Sequence, residues 1–179
     1  MTVFVALLRG VNVGGRNRLA MADLRAAAEE CGFSAVRTYV QSGNLVFRAT
    51  GAVADVATNL RSAIAAATSV DPAIAMRTSE QLGTVIDGCP FEDTAAVHVA
   101  FQVEGAPRQA AIATLDAAAF APEQFAVRGR ETYLYLPDGL GRSKLAQALT
   151  RGRAAEQATM RNWRTVTKLA SMADEAASM

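Results

Sequence analysis

The chain opens on the stretch TVFVALLRGVNVGGRN, residues 2–17, in which an apolar run stops abruptly at Arg9 and Gly10. Residues 2–8 are almost all apolar and β-compatible, which predicts a buried strand. The segment from Arg9 to Arg18 then holds three glycines, two asparagines and three arginines. Glycines let a backbone approach a ligand closely, and exposed N–H and guanidinium groups attract negative charge. We therefore expect a strand end that carries this glycine loop, residues 9–18, towards an anion.

Outward from this loop, hydrophobic spacing and turn residues predict alternating strands and helices. The predicted strands are residues 2–8, 36–40, 45–47, 73–77, 97–103, 125–128 and 132–136. The predicted helices are residues 21–31, 53–67, 78–88, 107–118, 143–149 and 159–176. The first half has the order β-α-β-β-α-β of the split β-α-β pattern, and the second half repeats much of that order, as β-α-β-β-α. We predict an α+β protein of two ferredoxin-like units, residues 1–90 and 91–179, with antiparallel or mixed sheets covered by helices.

Composition restricts the class of protein. The chain has 179 residues, of which 51% are apolar, and this is enough for a packed core. Cys31 and Cys89 lack the spacing of a paired motif, which favours reduced thiols and a cytoplasmic location. No apolar run approaches the length of a membrane span, so no membrane partner is expected. No His and Cys cluster has metal-ligand spacing, so neither a metal nor a cofactor is predicted.

Charge is distributed unevenly along the chain. The net charge is +1, but residues 1–50 carry +3, residues 51–139 carry −6 and residues 140–168 carry +6. Arginine outnumbers lysine sixteen to two, which also fits a coding bias with solvated basic faces. The alternative is a basic surface that the two ends of the chain build together.

The glycine loop has the spacing of a P-loop, but its chemistry differs. Arg16 replaces the phosphate-binding lysine, and Asn17 replaces the hydroxyl residue that contacts magnesium. The next helix also begins too late to direct its N-terminus at the loop. We therefore reject the interpretation of the chain as a nucleoside triphosphatase. Two interpretations of the glycine loop stay open: it contacts an anion, or it only connects the strand to the helix.

Three further segments could contribute polar groups to the same surface. Residues 41–44, QSGN, form either a hairpin turn or a polar tip beside the glycine loop. Residues 138–144, DGLGRSK, lead into a helix with Ser143 as its N-cap and Lys144 in its first turn. Residues 161–168, RNWRTVTK, are predicted as helical, with the arginines outward. Trp163 is then either an apolar anchor or, if exposed, a platform on which a base or sugar stacks.

Five segments resemble a bacterial family of uncharacterised proteins, domain of unknown function 1697: ALLRGVNVGGRN, MADLRAAAEECGF, VRTYVQSGNLVF, GRSKL and MRNWRTVTKL. The resemblance runs over nearly the whole chain and implies a compact cytoplasmic α+β protein. It implies no activity, because none is established for the family. The chain departs from the family pattern at Ala20, where proline is frequent, and at Arg164, where asparagine is usual.

We predict that these motifs form one anion-binding site for a phosphorylated metabolite, a nucleotide or a nucleic acid. The first wall would comprise Arg9, Asn12, Gly14, Gly15, Arg16 and Asn17, the second Gln41, Ser42 and Asn44, and the third Ser143, Lys144, Arg161 and Asn162, with Trp163 beside it. Arg161 would act as a bidentate fork.

Two alternatives stay open. In the first, the protein is a metal-independent enzyme on a phosphorylated ligand, with Ser42 or Ser143 as the reactive hydroxyl. Its only histidine, His98, is expected on a sheet surface. In the second, the protein is a non-catalytic interaction protein whose conspicuous motifs only join the two halves. The sequence predicts no oligomeric state.

Overall fold

The computed structural model describes residues 1–106, 115–150 and 158–179, and in these it contains two four-stranded antiparallel sheets and five α-helices. The strands are β1 (Thr2–Leu8), β2 (Ser34–Thr38), β3 (Asn44–Ala49), β4 (Ile74–Thr78), β5 (Val97–Gln102), β6 (Gln124–Arg128), β7 (Glu131–Tyr135) and β8 (Ala158–Asn162). The helices are α1 (Met21–Glu30), α2 (Val53–Ala67), α3 (Ser79–Asp87), α4 (Lys144–Leu149) and α5 (Trp163–Ala177). The α+β class is therefore confirmed.

Strand β1 lies inside the first sheet, whose order is β2-β3-β1-β4. It pairs antiparallel with both β3 and β4, as an apolar strand buried on both faces can do. Its side chains alternate, so that Phe4, Ala6 and Leu8 face one apolar cluster and Val3, Val5 and Leu7 face another. Helices α1 and α2 cover the first of these faces through residues spaced three or four apart, among them Leu24, Ala28, Val56, Leu60 and Ile64.

The second sheet has the order β6-β7-β5-β8. Val99 and Phe101 of β5 belong to the same apolar cluster as Val3, Val5 and Leu7 of the first sheet. Ala100 points the opposite way, towards Leu145 of α4. The second sheet thus has an inner face, which packs towards the first sheet, and an outer face, which α4 covers.

Helices α3 and α5 share the apolar cluster between the two sheets. Helix α5 contributes its buried stripe, Val166, Leu169, Met172, Ala173 and Ala176. It contacts β1 and β3 of the first sheet, β5 and β8 of the second, and α3. The end of the chain is therefore part of the core of both halves.

The final predicted helix is wrong at its start. Residues 158–162 form β8 instead, and the helix begins at Trp163. Arg161 pairs with Val99 across the sheet, and Met160 pairs with Ala100. The alternation of polar and apolar side chains over these five residues is too short to distinguish from the helical pattern that follows it. The second half therefore has a fourth strand before its last helix, which the predicted order lacked.

Two other predictions concern the helix at 107–118 and the end of the strand at 36–40. The helix predicted at 107–118 lies mostly outside the described residues, since nothing is described between 106 and 115. Strand β2 ends at Thr38 rather than at residue 40. Tyr39 already donates its N–H to the carbonyl of Asn44 at 3.1 Å, and Val40 adopts a left-handed φ of +49°, so both residues belong to the turn.

Candidate functional site

The glycine loop is a small hairpin. Val13 and Arg16 form an isolated β-bridge, and the two residues between them, Gly14 and Gly15, have φ of +58° and +76°. A two-residue turn with both central residues at positive φ has the sign of a type I′ turn, which glycine adopts without strain. The tip of the loop, from Val13 to Arg18, is exposed.

The two asparagines of this loop hold it together. Asn12 donates through Nδ2 to the carbonyls of Leu19 and Gln41, both at 2.8 Å, and accepts from the N–H of Leu19 through Oδ1 at 2.9 Å. Asn17 donates to the carbonyl of Gly10 at 3.0 Å. The bond to Gln41 joins the loop to the turn between β2 and β3, so the first two predicted walls are neighbours.

Arg161 is buried rather than outward, and the predicted anion fork is wrong in this respect. Its side chain comes from β8, is only 7% exposed, and reaches the end of β1 and the turn before β3. Nη2 donates to the carbonyls of Leu8 at 2.8 Å and of Ser42 at 2.9 Å, while Nε donates to Oδ1 of Asn44. Burial lowers the pKa of Arg161 to about 10. We call this set of contacts the Arg161 clamp.

Asn44 and Ser42 accept hydrogen bonds from Arg161 in this clamp. Asn44 is fully buried, and its Nδ2 donates to the carbonyl of Tyr39 at 2.8 Å and to Oγ of Ser42 at 3.0 Å. Between them, Gly43 packs so tightly that a Cβ there would lie 2.5 Å from Cγ2 of Val11. The amide of Asn44 therefore faces the interior, contrary to the predicted polar tip, while Gln41 and Ser42 stay at the surface.

Ser143 and Lys144 do not join this region, so the predicted third wall is wrong. Directly paired residues of an antiparallel sheet point to the same face, which places Arg161 with Val99 on the inner face of the second sheet. The N-terminus of α4 lies on the outer face. Ser143 is buried there as N-cap and accepts from the N–H of Ala146 at 2.8 Å, whereas Lys144 is exposed.

Asn162 and Trp163 have roles in the fold. Asn162 is the N-cap of α5 and accepts through Oδ1 from the N–H of Thr165 at 2.9 Å. Trp163 is half-buried and packs against the apolar cluster between the sheets. This matches the anchor interpretation of the tryptophan rather than an exposed stacking platform.

Several predicted residues remain accessible at the glycine loop. Gly14, Gly15, Arg16 and Gln41 are exposed, and Arg18 is exposed beside them. Within the described parts of the chain, neither Arg16 nor Arg18 forms an ion pair. A shallow depression here is lined by Asn12, Gly15, Arg18, Leu19, Ala20, Asp23 and Gln41. Arg9 is half-buried, and its N–H donates to the carbonyl of Ala73 at 2.9 Å.

The hydroxyls considered for catalysis have structural surroundings. Oγ of Ser42 accepts from Asn44, and Ser143 caps α4. His98 lies on the outer face of the second sheet, since it is opposite Leu134, and burial lowers its pKa. Among the residues that the structure describes, no hydrogen bond joins any of these hydroxyls to His98.

A buried ionic cluster that the sequence did not indicate links the two sheets. Arg77 of β4 is 2% exposed and donates through Nε to Glu131 of β7 at 2.6 Å. Glu104 lies 3.5 Å from Nη1 of Arg77 and also accepts from Arg130 at 2.5 Å. Desolvation lowers the pKa of Arg77, and Glu131 opposes this effect. An arginine inside the apolar strand IAMRT was the available signal, but its partners lie far away in sequence.

Two general findings concern the described residues. No helix there has both the length and the apolar character that crossing a membrane requires. In the same part of the chain, no three His, Cys, Asp or Glu side chains come together as a group that could hold a metal ion.

The family model described as "Protein of unknown function (DUF1697)" matches residues 1–133. The chain belongs to this family. A solved structure, described as that of a conserved bacterial protein from Streptococcus pneumoniae, is similar over 97% of this chain and 99% of its own. The two share 22% sequence identity and superpose with a TM-score of 0.83, so a fold like that of this DUF1697 chain is already known. A comparison with curated proteins gives no match.

Proposed function

We propose that this DUF1697 protein binds an anionic ligand, which is a phosphorylated metabolite, a nucleotide or a nucleic acid, at the exposed side of its glycine loop. The observation that carries the proposal is the pair of exposed arginines, Arg16 and Arg18, which have no carboxylate partner in the described chain. Guanidinium groups on a rigid support are the usual partners of phosphate oxygens.

Backbone geometry supports the same surface. The N–H groups of Gly14 and Gly15 donate no hydrogen bond among those made by the described residues. They sit at an exposed turn that the hydrogen bonds of Asn12 and Asn17 hold in place. Consecutive unpaired N–H groups in a turn are a recurrent way to hold an anion.

Fewer residues would form this site than the sequence indicated. Gly14, Gly15, Arg16, Arg18 and Gln41 would contact the ligand. Asn12 and Asn17 would shape the loop, and the Arg161 clamp would hold the strand end that supports it. For Arg161 and Asn44, whose side chains are buried and hydrogen-bonded between β8 and the first sheet, this favours the hypothesis of motifs that join the two halves.

A titration with fluorescently labelled single-stranded RNA, single-stranded DNA and nucleotides at several salt concentrations tests the proposal. Replacing both Arg16 and Arg18 by alanine should weaken binding by about tenfold or more and reduce the salt dependence. Arg142→Ala is the matched control, because Arg142 is exposed and belongs to the segment that leads into α4 on the outer face. Failure of every anion to bind at low salt would reject the proposal.

The two-unit organisation belongs to the same proposal. The first sheet, with helices α1 and α2 between its strands, has the element order of a ferredoxin-like split β-α-β unit. The second sheet repeats the strand order β6-β7-β5-β8, which supports a second such unit and a boundary near residue 90. A cytoplasmic location fits Cys31 and Cys89, which are both free thiols.

A further inference from the structure

A second cavity, of about 450 Å³, lies between α3 and the hairpin of β6 and β7. Its volume falls inside the range of about 300 to 1,000 Å³ that is usual for small-molecule sites. Helix α3 comes from the first half of the chain and the hairpin from the second, and the boundary between such halves is a common position for a ligand. None of its lining residues belongs to the glycine loop.

One wall of this cavity is apolar. Val85 is buried on α3, and the ring of Tyr133 is buried on β7. The hydroxyl of Tyr133 donates to the carbonyl of Val85 at 2.7 Å, so its polar atom is already satisfied. Thr84 lies at the exposed edge of the same wall. The wall can therefore accept an apolar body without leaving a polar group unpaired.

The arginines that line the cavity, taken together with their carboxylate partners, leave an excess of one positive charge. Arg77 is paired with Glu131 at 2.6 Å, and Arg130 is paired with Glu104 at 2.5 Å. Arg128 also lines the cavity, is exposed, and pairs with no carboxylate within the ranges that the structure describes. Burial raises the pKa of Tyr133 to about 12.

We infer that this cavity binds a small organic carboxylate whose charged group pairs with Arg128 and whose apolar body packs against Val85 and Tyr133. The net excess of a single positive charge matches a monoanion. The apolar wall favours a hydrocarbon chain or ring over a purely polar anion. A guanidinium and a carboxylate form two parallel hydrogen bonds, which fixes the orientation of the ligand.

Isothermal titration with hexanoate and benzoate tests this site, with hexan-1-ol, benzyl alcohol and inorganic phosphate as comparison probes. At least one of the two carboxylates should bind with one-to-one stoichiometry, and its neutral alcohol should bind about tenfold more weakly or not at all. Arg128→Gln should weaken carboxylate binding by about tenfold. Thr84→Phe, which adds a ring at the exposed edge of the cavity, should abolish it. Arg142→Gln, an exposed arginine outside the cavity lining, should have no effect.

The site is independent of the glycine loop, so the double replacement of Arg16 and Arg18 by alanine should leave carboxylate binding unchanged. The inference is overturned if neither carboxylate binds at millimolar concentration, or if the alcohol binds as tightly as the acid. Preferential binding of phosphate would overturn the assignment of a carboxylate. Unchanged affinity in both Arg128→Gln and Thr84→Phe would show that the ligand binds elsewhere.

Discussion

The guanidinium of Arg161 is held by carbonyl groups and an amide, and no described carboxylate pairs with it. Its hydrogen bonds join β8, on which Arg161 lies, to the end of β1 and to the turn before β3. The carbonyl of Leu8 belongs to a fully buried residue, whereas that of Ser42 lies nearer the surface. A single side chain therefore joins the backbone of the first sheet to β8.

Arg161→Ala should lower the free energy of unfolding by about 3 kcal/mol or more, because the buried carbonyl of Leu8 and the buried Oδ1 of Asn44 would each lose a charged donor. Arg164→Ala is the matched control, since Arg164 is exposed on the first turn of α5 and should change stability by less than about 0.5 kcal/mol. Urea unfolding of both variants measures the difference. Equal stability of the two variants would contradict the clamp.

Gly43 faces two constraints at once. Its φ is +76°, and a Cβ would lie 2.5 Å from Cγ2 of Val11 and 2.8 Å from Cβ of Leu8. Gly43→Ala should therefore destabilise the protein by about 2 kcal/mol or more. Gly14→Ala shares a positive φ, +58°, but meets nothing within 4 Å, so it should cost only about 1 kcal/mol. Thermal unfolding compares the two, and a smaller loss for Gly43→Ala would refute this packing.

Strands β4 and β7 are joined across the two sheets by the ion pair of Arg77 and Glu131, whose side chains are 2% and 12% exposed. An ion pair this deep contrasts with Arg61 and Asp71, which pair at 2.5 Å with side chains 52% and 57% exposed. Solvent screens the second pair and leaves the first in a medium of lower dielectric.

Arg77→Met should therefore destabilise the protein by about 3 kcal/mol, because it leaves the Glu131 carboxylate buried without a partner. The additional replacement Glu131→Gln should recover part of that loss. Arg61→Met is the surface comparison and should leave the unfolding free energy within experimental error. Guanidinium or urea denaturation provides the measurements. A surface variant as unstable as Arg77→Met would contradict the assigned burial.

Sequence patterns predicted most of the elements because their signals are local. The run at 2–8 and the periodic residues of 53–67 have the predicted bounds in the structure. β8 was missed because five alternating residues precede a helix with no intervening glycine or proline. At the glycine loop, Arg16 is exposed, as the predicted ligand-facing wall requires. The burial of Arg161 could not be predicted, because its hydrogen-bond partners, Leu8, Ser42 and Asn44, lie at least 117 residues away in the sequence.

The core of the first half depends on the helix near the end of the chain. The inner face of its sheet is covered by α5, whose buried residues begin at Val166. Removal of that helix would expose a large apolar surface, which a folded domain of this size rarely tolerates.

A fragment of residues 1–90 should therefore be unfolded or aggregated, although it contains the complete first sheet. The full chain is the control, and it should unfold in one cooperative transition. Circular dichroism and a two-dimensional amide NMR spectrum distinguish these outcomes. A soluble fragment with dispersed amide signals and cooperative unfolding would contradict the shared core.

An amide NMR titration of the intact, isotopically labelled protein with a short single-stranded RNA, a nucleotide and a sugar phosphate tests the claim that the exposed side of the glycine loop holds the anion. We expect at least one of these to shift the signals of residues 13–18 and of Gln41, and the Arg16 and Arg18 double alanine variant to lose those shifts. Shifts that centre on other residues, or the absence of any shift at low salt, would contradict the claim.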